Sequence, residues 1–137
     1  AFVKSLLETN AVGGINILNF AAINGIKKVI NCSTLAVVNK PWPIPLTSNA
    51  ATSPAGRNVG YAVSKLAQEL LMNEVADNLQ ISLLHLRLSA LYGLNMPWTG
   101  VLPMLIQKAL KGEEINLLNA EKTSFDFLHV SDLSLII

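Results

Sequence analysis

The sequence predicts an α/β fold whose sheet is largely parallel. Segments with the apolar spacing of helices alternate along the chain with short apolar runs that are typical of buried strands. Asn-Gly or Gly signals that end helices stand between them. Strands that are separated by helices join through crossovers and therefore pair in parallel. At 137 residues the chain is long enough for one domain, or for part of a larger one.

Composition and charge restrict the class of protein. Hydrophobic residues make up 51% of the chain and charged residues 14%, so the chain can bury enough surface to fold. Ten Lys and Arg against nine Asp and Glu leave a net charge of +1 with no basic patch, so we expect no nucleic-acid partner. The single cysteine, Cys32, cannot form an internal disulfide and indicates a reducing, cytoplasmic location.

The sequence also predicts no membrane partner. The longest uncharged stretches, residues 9–26 and 88–107, contain asparagines with glycines or prolines that a lipid-facing helix tolerates poorly. The first ten residues lack the basic region, apolar core and cleavage site of a signal peptide.

The first predicted element is a helix over residues 2–23. Its apolar side chains follow helical spacing, and the glycine pair Gly13-Gly14 predicts a bend in it. Asn24-Gly25 predicts its end, because both residue types tolerate the left-handed conformation that closes a helix.

The centre of the chain predicts two strands and the clearest helix. Residues 28–33 form a short apolar run with β-branched residues, which predicts a strand buried on both faces. Residues 34–59 are rich in Pro, Ser, Thr and Asn and predict a long loop. Residues 60–78 predict a helix, and residues 81–88 a second buried strand. The apolar positions of that helix are 63, 66, 67, 70, 71 and 75, with polar residues at 68, 69, 73 and 74.

A loop and a third helix follow. Residues 89–100 contain proline and predict the loop. Residues 101–110 predict the helix, with Thr99 as its cap, Pro103 in its first turn and Gly112 closing its end.

The last segments predict short strands at residues 114–118 and 125–130, separated by a polar turn. Ser131-Asp132 then begins a further helix. Because the chain opens and closes inside predicted helices, we expect it to be a fragment of a longer protein.

Tyr61 and Lys65 are the strongest candidates for catalysis. A spacing of four places them on one side of the helix, about one turn apart. A tyrosine titrates near pKa ~10, and a neighbouring cation favours the phenolate, which suits proton transfer at neutral pH. The alternative is a tyrosine packed on the core, with a lysine that is solvated or paired with Glu69.

Two further polar positions stand out. Ser33-Thr34 follow the strand at 28–33, and the carboxyl end of a parallel strand is where open α/β sheets bind ligands. A hydroxyl there can bond a substrate oxygen, or it can satisfy the backbone as the chain leaves the strand. Asn10 lies just before the glycine pair, where its amide could satisfy a broken backbone pair or hold a water.

Five segments, taken in order, resemble motifs of the extended short-chain dehydrogenase/reductase superfamily, in its NAD(P)-dependent epimerase/dehydratase family. They are NAVGG at 10–14, VINCSTLAVV at 29–38, YAVSK at 61–65, LRLSALYG at 86–93 and SFDFLHVSDL at 124–133. The resemblance covers essentially the whole chain but only the middle and later part of the family's sequence. It implies a Rossmann-like parallel sheet with helices on both faces. It also implies that residues 1–92 belong to the NAD(P)-binding domain and residues 93–137 to the substrate-binding region.

The resemblance implies a role for each candidate residue. Thr34 takes the place of the hydroxyl that orients the substrate, and Tyr61 takes the place of the acid/base. Lys65 takes the place of the cation that acidifies Tyr61 and holds the nicotinamide ribose. Asn10 matches a structural or proton-relay asparagine. The implied cofactor-binding residues are Ser33, Tyr61, Lys65, Leu88, Ser89, Ala90 and Leu91.

The implied reaction is transient hydride transfer to the nicotinamide of NAD or NADP, with Tyr61 exchanging the hydroxyl proton of a sugar or nucleotide-sugar-like substrate. The resemblance also implies a homodimer through the helices at 2–23 and 60–78. The chain contains no G-x-x-G-x-x-G turn, which normally binds the pyrophosphate, so we expect the fragment alone to be inactive.

Some positions depart from the family pattern. Phe125 stands where many nucleotide-sugar enzymes have an arginine that contacts the diphosphate, and Ala90 replaces the usual asparagine. These changes favour a smaller or less charged substrate. They leave two alternatives open: a reductase or dehydrogenase of a small carbonyl or hydroxyl compound, and a non-catalytic dinucleotide-sensing module.

The two histidines are interpreted as structural. His85 lies among leucines in one predicted strand and His129 in another, without a histidine or cysteine at ligand spacing. We therefore predict core or edge residues and no metal site.

Overall fold

The computed structural model describes residues 2–38, 41–42, 44–56, 58–117 and 125–137. The elements, in chain order, are α1 (Phe2–Leu7), a π-helical segment (Glu8–Val12), α2 (Gly13–Ile23), β1 (Lys28–Thr34), a 3₁₀ turn (Leu35–Val37), α3 (Val59–Leu79), β2 (Ser82–Leu88), β3 (Ala90–Tyr92), α4 (Val101–Lys111), β4 (Phe127–His129) and α5 (Val130–Ile136). The contacts divide the chain into two units, Ala1–Leu88 and Ser89–Ile137. Both strand pairs are parallel, which confirms the predicted α/β class.

The first unit is built on the parallel pair β1 and β2. Their register runs from Lys28 opposite Ser82 to Thr34 opposite Leu88. Helices α2 and α3 supply most of the core, because apolar side chains at helical spacing turn toward each other and toward the strands. The core residues are Leu18, Ala21, Met72, Ala76 and Ile81.

The prediction that β1 is buried on both faces is wrong. Asn31 and Ser33 are buried, whereas Ile30 and Cys32 are exposed. Side chains alternate between the two faces of a strand, so the helix layer covers only one set. On the other face of the pair, Leu84 of β2 is 51% exposed. The apolar residues of this second face remain accessible in the described part of the chain.

The first helical run keeps its predicted extent, but its irregularity lies elsewhere than predicted. The chain passes through Gly13 in a right-handed helical conformation, and the departure from α-helical geometry is the π-helical segment just before it. Gly14 is needed for the close approach of α2 to α3, since a Cβ there would lie 2.7 Å from the Sδ atom of Met72. The predicted helix end is confirmed, with Gly25 at a φ of +71°.

The run Phe2–Ile23 is also long and apolar enough, by length and composition alone, to cross a membrane, with a mean hydropathy of 1.2. Core helices of water-soluble proteins and signal sequences meet the same criterion, so this is weak evidence. Leu18 of the run lies in the core of the first unit beside Met72. These contacts give the run a packing role in the first unit.

Helix α3 confirms the predicted element, but it buries an unexpected face. Lys65, Gln68 and Glu69 are buried, whereas the apolar side chains of Val63 and Leu70 are exposed. The buried residues recur every three or four positions and lie on the side of the helix that packs against the rest of the unit. The apolar pattern alone therefore does not identify the buried face of α3, because Glu69 of α3 pairs with Arg87 of β2.

The second unit contains a parallel pair that the sequence did not predict. Strand β3 lies within residues 89–100, which were predicted to be a loop, and it pairs with β4 from Ala90 opposite Phe127 to Tyr92 opposite His129. The ring of Tyr92 packs edge-on against both Phe127 and His129. A three-residue strand depends on a partner far along the chain, so its local sequence carries little signal.

The helix boundaries in this unit are partly corrected. Gly100, at a φ of +97°, is the N-cap of α4 and no side chain caps the helix, so the prediction of a Thr99 cap is wrong. Pro103 in the first turn and Gly112 at the end, at a φ of +66°, are confirmed. His129 caps α5 by accepting a hydrogen bond from the backbone N–H of Ser131, so this helix begins at Val130 rather than at Ser131.

The two short strands predicted near the end of the chain have different outcomes. Residues 114–117 form no strand, and the backbone carbonyl of Glu114 instead accepts a hydrogen bond from the Lys108 ammonium. Position 118 lies outside the described residues. The predicted strand at 125–130 is confirmed as the shorter β4, because Val130 already belongs to α5.

Candidate active site

The candidate residues of the first unit come from three neighbouring elements. Ser33 and Thr34 end β1, Tyr61 and Lys65 lie in the first two turns of α3, and Asn10 lies in the π-helical segment. The parallel pairing of β1 and β2 places the end of β1 at the carboxyl edge of the sheet, which is the ligand-binding edge of open α/β sheets.

Tyr61 and Lys65 differ sharply in exposure. Tyr61 is 39% exposed, and its hydroxyl makes no hydrogen bond within the part of the chain that the structure describes. Lys65 is 8% exposed and donates a hydrogen bond from Nζ to Oε1 of Gln68. The alternative interpretation predicted a lysine that is solvated or paired with Glu69. In the structure Lys65 is buried and is not hydrogen-bonded to Glu69. Two of its three N–H donors are left for other acceptors.

The pKa of Lys65 reflects this burial. Burial lowers it below its ordinary value, because a buried ammonium loses its hydration. Cys32 and Glu69 act in the opposite direction and raise it, without cancelling the effect of burial.

Asn10 braces the helix that carries Tyr61. Its Nδ2 atom donates to Oγ of Ser64 at 2.9 Å, and the Ser64 hydroxyl donates to the backbone carbonyl of Tyr61 at 2.8 Å. Ser64 is fully buried. The sequence had identified Asn10 without a partner and had not singled out Ser64, although Ser64 belongs to the YAVSK segment.

Thr34 uses its hydroxyl oxygen locally. Its Oγ1 accepts a hydrogen bond of 3.2 Å from the backbone N–H of Ala36 and caps the 3₁₀ turn. This is the backbone role that the sequence left open as an alternative. It uses an acceptor lone pair, so the hydroxyl proton can still be donated to a ligand. Among the described residues, no hydrogen bond joins Thr34 to Tyr61 or Lys65.

A buried charged cluster below these residues was missed by the sequence. Glu69 is 3% exposed. Its carboxylate accepts bidentate hydrogen bonds from Arg87, from Nη2 to Oε2 at 2.7 Å and from Nε to Oε1 at 3.1 Å. The Ser33 hydroxyl is buried and makes no hydrogen bond of normal geometry to the described residues, but it lies close enough to the Glu69 carboxylate to lower its pKa. A charged residue inside an apolar strand is the signal that could have indicated such a pair.

Opposing effects act on this carboxylate. Burial raises the pKa of Glu69, but the hydrogen bonds from Arg87, the nearby Ser33 hydroxyl and the charges of Arg87 and His85 lower it below its ordinary value. His85 lies beside the pair and is held between Asn31, at 2.8 Å, and Asn73, at 3.1 Å. Burial lowers the pKa of His85, and the Glu69 charge raises it in part. Among the described residues, no group of three or more His, Cys, Asp or Glu could hold a metal ion.

The remaining predicted cofactor-binding residues lie at the junction of the two units along the chain. Leu88 ends β2 in the first unit, and Ser89 begins the second unit. Ala90 and Leu91 belong to β3. Their role toward a cofactor stays a prediction, as does the assignment of residues 1–92 and 93–137 to cofactor and substrate binding.

Comparisons with known proteins identify similar sequences and structures. The sequence model of the NAD dependent epimerase/dehydratase family matches residues 3–137. The chain is 34% identical over 136 residues to a UDP-N-acetyl-alpha-D-glucosaminuronate decarboxylase from Bacillus cytotoxicus, which covers 93% of the chain and 40% of that protein. One similar structure is the UDP-N-acetylglucosamine 4-epimerase from Methanobrevibacter ruminantium in complex with UDP-N-acetylmuramic acid, at a TM-score of 0.79 and 25% identity over 93% of this chain and 42% of that one.

A second similar structure is the Bordetella bronchiseptica enzyme WbmG in complex with NAD and UDP. Its TM-score is 0.78 at 25% identity, over 95% of this chain and 38% of that one. The chain thus spans about two fifths of the length of the proteins that it matches.

Proposed function

Because the chain belongs to the NAD-dependent epimerase/dehydratase family, we propose that the complete protein is an NAD-dependent epimerase or dehydratase of a sugar or nucleotide-sugar-like substrate. The observation that carries the proposal is the arrangement on α3. Tyr61, which is 39% exposed, lies one helical turn before the buried Lys65. The hydrogen bonds from Asn10 to Ser64 and from Ser64 to the Tyr61 carbonyl tie this part of the helix to the π-helical segment.

The donor groups of the first unit fit a nicotinamide cofactor. The Lys65 ammonium has N–H donors to spare for the hydroxyls of a ribose, and the phenol of Tyr61 has no partner among the described residues. When bound, NAD accepts a hydride from the substrate and can return it. The Bordetella bronchiseptica enzyme was crystallised with NAD, which supports NAD over NADP here.

The chain's own residues then divide the work. We assign to Tyr61 the transfer of the substrate's hydroxyl proton, because the residue is 39% exposed and its hydroxyl makes no hydrogen bond to the described residues. Lys65, as an ammonium one turn away, stabilises the Tyr61 phenolate and binds the cofactor ribose. Thr34 donates its hydroxyl proton to a substrate oxygen. Asn10 holds the first turn of α3 in place through Ser64.

The relatives support a nucleotide sugar as the substrate, since their names specify UDP-linked sugars. One observation favours the second candidate, a reductase or dehydrogenase of a less charged compound. Phe125 replaces the arginine that many nucleotide-sugar enzymes use for the diphosphate, and its ring stacks on Phe127 with centroids 5.6 Å apart. An apolar ring cannot form the charge-assisted hydrogen bonds that an arginine gives a diphosphate.

Absorbance and fluorescence of the nicotinamide near 340 nm test the proposal on the purified complete protein, with a panel of nucleotide sugars and simple keto compounds. We expect bound cofactor and substrate turnover without net oxidation or reduction. Stoichiometric oxidation or reduction would instead establish the reductase. Absence of any cofactor signal would leave a non-catalytic module.

We also propose that the complete protein is a homodimer through the helices at 2–23 and 60–78. Exposed apolar side chains on both helices support this, among them Phe20 at 61% and Leu70 at 62% exposure. Leu70→Asp is expected to convert a micromolar dimer to a monomer in sedimentation, whereas Leu110→Asp, at a 78% exposed position on α4, should not. A wild-type monomer at that concentration would contradict the proposal.

A further inference from the structure

The ion pair between Glu69 and Arg87 is unusual in its burial and geometry. The Nε and Nη2 atoms of Arg87 both donate hydrogen bonds to the Glu69 carboxylate. The side chains of Arg87 and Glu69 are 25% and 4% exposed. The other two ion pairs among the described residues join side chains that are more than half exposed. The Glu69–Arg87 pair is therefore the one whose charges are largely withdrawn from water.

Burial of this kind seldom serves stability. The cost of removing two charges from water is comparable to their attraction, so a well-packed apolar pair is often equally stable or more stable. Glu69 follows Lys65 and Gln68 on the buried side of α3. These observations indicate that the negative charge of Glu69 has a function besides pairing β2 with α3.

Lys65 is the group on which the negative charge of Glu69 can act. Its ammonium is buried, and its hydrogen-bond partner in the described structure is the neutral amide of Gln68. The titratable groups that interact with Lys65 are Cys32 of β1, Glu69 of α3 and His85 of β2. Those that act on Glu69 are Arg87 and His85 of β2, along with the Ser33 hydroxyl. Glu69, one helical turn from Lys65, is the carboxylate of this group.

We propose that Glu69, fixed by Arg87, is a positioning residue that keeps Lys65 charged and directed for the work of Tyr61. The proposal rests on the proposed function, which gives Lys65 its role. Arg87 contributes by holding the carboxylate ionised in a fixed orientation, since a guanidinium fork matches a carboxylate in two bonds. Glu69 contacts neither substrate nor cofactor in this scheme.

The sign of the effect follows from the forces on Lys65. Burial lowers its pKa, whereas Cys32 and Glu69 raise it. Removal of the Glu69 charge leaves burial less opposed, so Lys65 loses its proton at a lower pH. The phenolate of Tyr61 then loses its neighbouring cation, and the alkaline limb of the pH profile of kcat/KM moves to lower pH.

Glu69→Gln in the complete protein tests this directly, with Glu74→Gln on the exposed side of the same helix as the matched control. The primary readout is the ¹³Cε chemical shift of Lys65 as a function of pH, in protein labelled with [¹³C]lysine and with the signal assigned by Lys65→Arg. We expect Glu69→Gln to lower the Lys65 midpoint and Glu74→Gln to leave it unchanged. The alkaline limb of kcat/KM should move by the same amount.

An unchanged Lys65 midpoint in Glu69→Gln would overturn the proposal, as would activity that falls equally at every pH. If Glu69→Gln does not fold, the double variant Glu69→Gln/Arg87→Gln avoids the unpaired guanidinium and is expected to show the same downward shift. The NMR titration needs no turnover. A wild-type protein that lacks NAD-dependent activity but titrates as expected would therefore contradict the proposed function, and the effect of Glu69 on the Lys65 pKa would then stand without a catalytic role.

Discussion

Tyr61→Phe is expected to lower the rate of hydride transfer by about 10²–10⁴-fold, which is the range that a positioned general acid or base contributes. The substitution removes one oxygen and keeps the ring, so packing at the start of α3 should not change. Tyr61 is 39% exposed and its hydroxyl makes no hydrogen bond to the described residues, so no buried partner is left unsatisfied. The loss should therefore appear in kcat, with NAD affinity close to that of the wild type.

Stopped-flow absorbance near 340 nm in the complete protein measures the hydride step, and NAD affinity is measured by fluorescence titration. Ser64→Ala is an informative comparison, because it breaks the Asn10–Ser64 brace but keeps the phenol. It should weaken activity far less than Tyr61→Phe does. Undiminished turnover in Tyr61→Phe would remove this tyrosine from the mechanism.

The second large effect concerns stability. Arg87→Leu is expected to reduce the free energy of unfolding by about 3–5 kcal/mol, because it leaves the Glu69 carboxylate buried without its ion-pair partner. The double variant Glu69→Leu/Arg87→Leu should recover most of this loss, since two apolar side chains of similar size bury no charge. The difference between the single and the double variant measures the cost of the unpaired charge.

Urea denaturation at pH 7 checks these values. Lys4→Met provides the control, because the Lys4–Glu8 pair has a separation of 3.6 Å but side chains that are 80% and 60% exposed. Its loss should cost less than about 1 kcal/mol, as is usual for surface pairs. Equal destabilisation by Arg87→Leu and by the double variant would show that packing, and not charge burial, makes the Glu69–Arg87 pair important.

Periodicity predicted the long helices well and the short strands poorly. The helical run over 2–23 and the helix α3 carry enough turns for apolar spacing to be unambiguous. Strand β3 has three residues and exists through its pairing with β4, more than 30 residues away along the chain. The cap of α4 depends on the backbone conformation of Gly100, and the cap of α5 depends on one hydrogen bond from the Ser131 N–H to the His129 ring, neither of which composition specifies.

The inner face of α3 shows the same limit at the candidate site. The side chains at 63, 70 and 71 are apolar but exposed, whereas the chain buries Lys65, Gln68 and Glu69. A polar residue can be buried only where partners meet it. Lys65 and Gln68 bond each other on α3, and the partners of Glu69 lie on β1 and β2. Motif spacing identified Tyr61 and Lys65. The Glu69–Arg87 ion pair could not be identified in the same way, because it depends on the packing of β2 against α3.

The sequence by itself determined the α/β class, the extent of the longest helices and the identity of Asn10, Thr34, Tyr61 and Lys65 as candidates. These properties are local or depend on the order of motifs along one chain. The tertiary structure decided that Lys65 is buried, that Asn10 reaches Ser64, and that Glu69 pairs with Arg87. The two contacts join residues 54 and 18 positions apart in the sequence. The burial of Lys65 depends on the packing of the elements around it. Burial and long-range contact are properties of the packed chain, and spacing in the sequence carries little information about them.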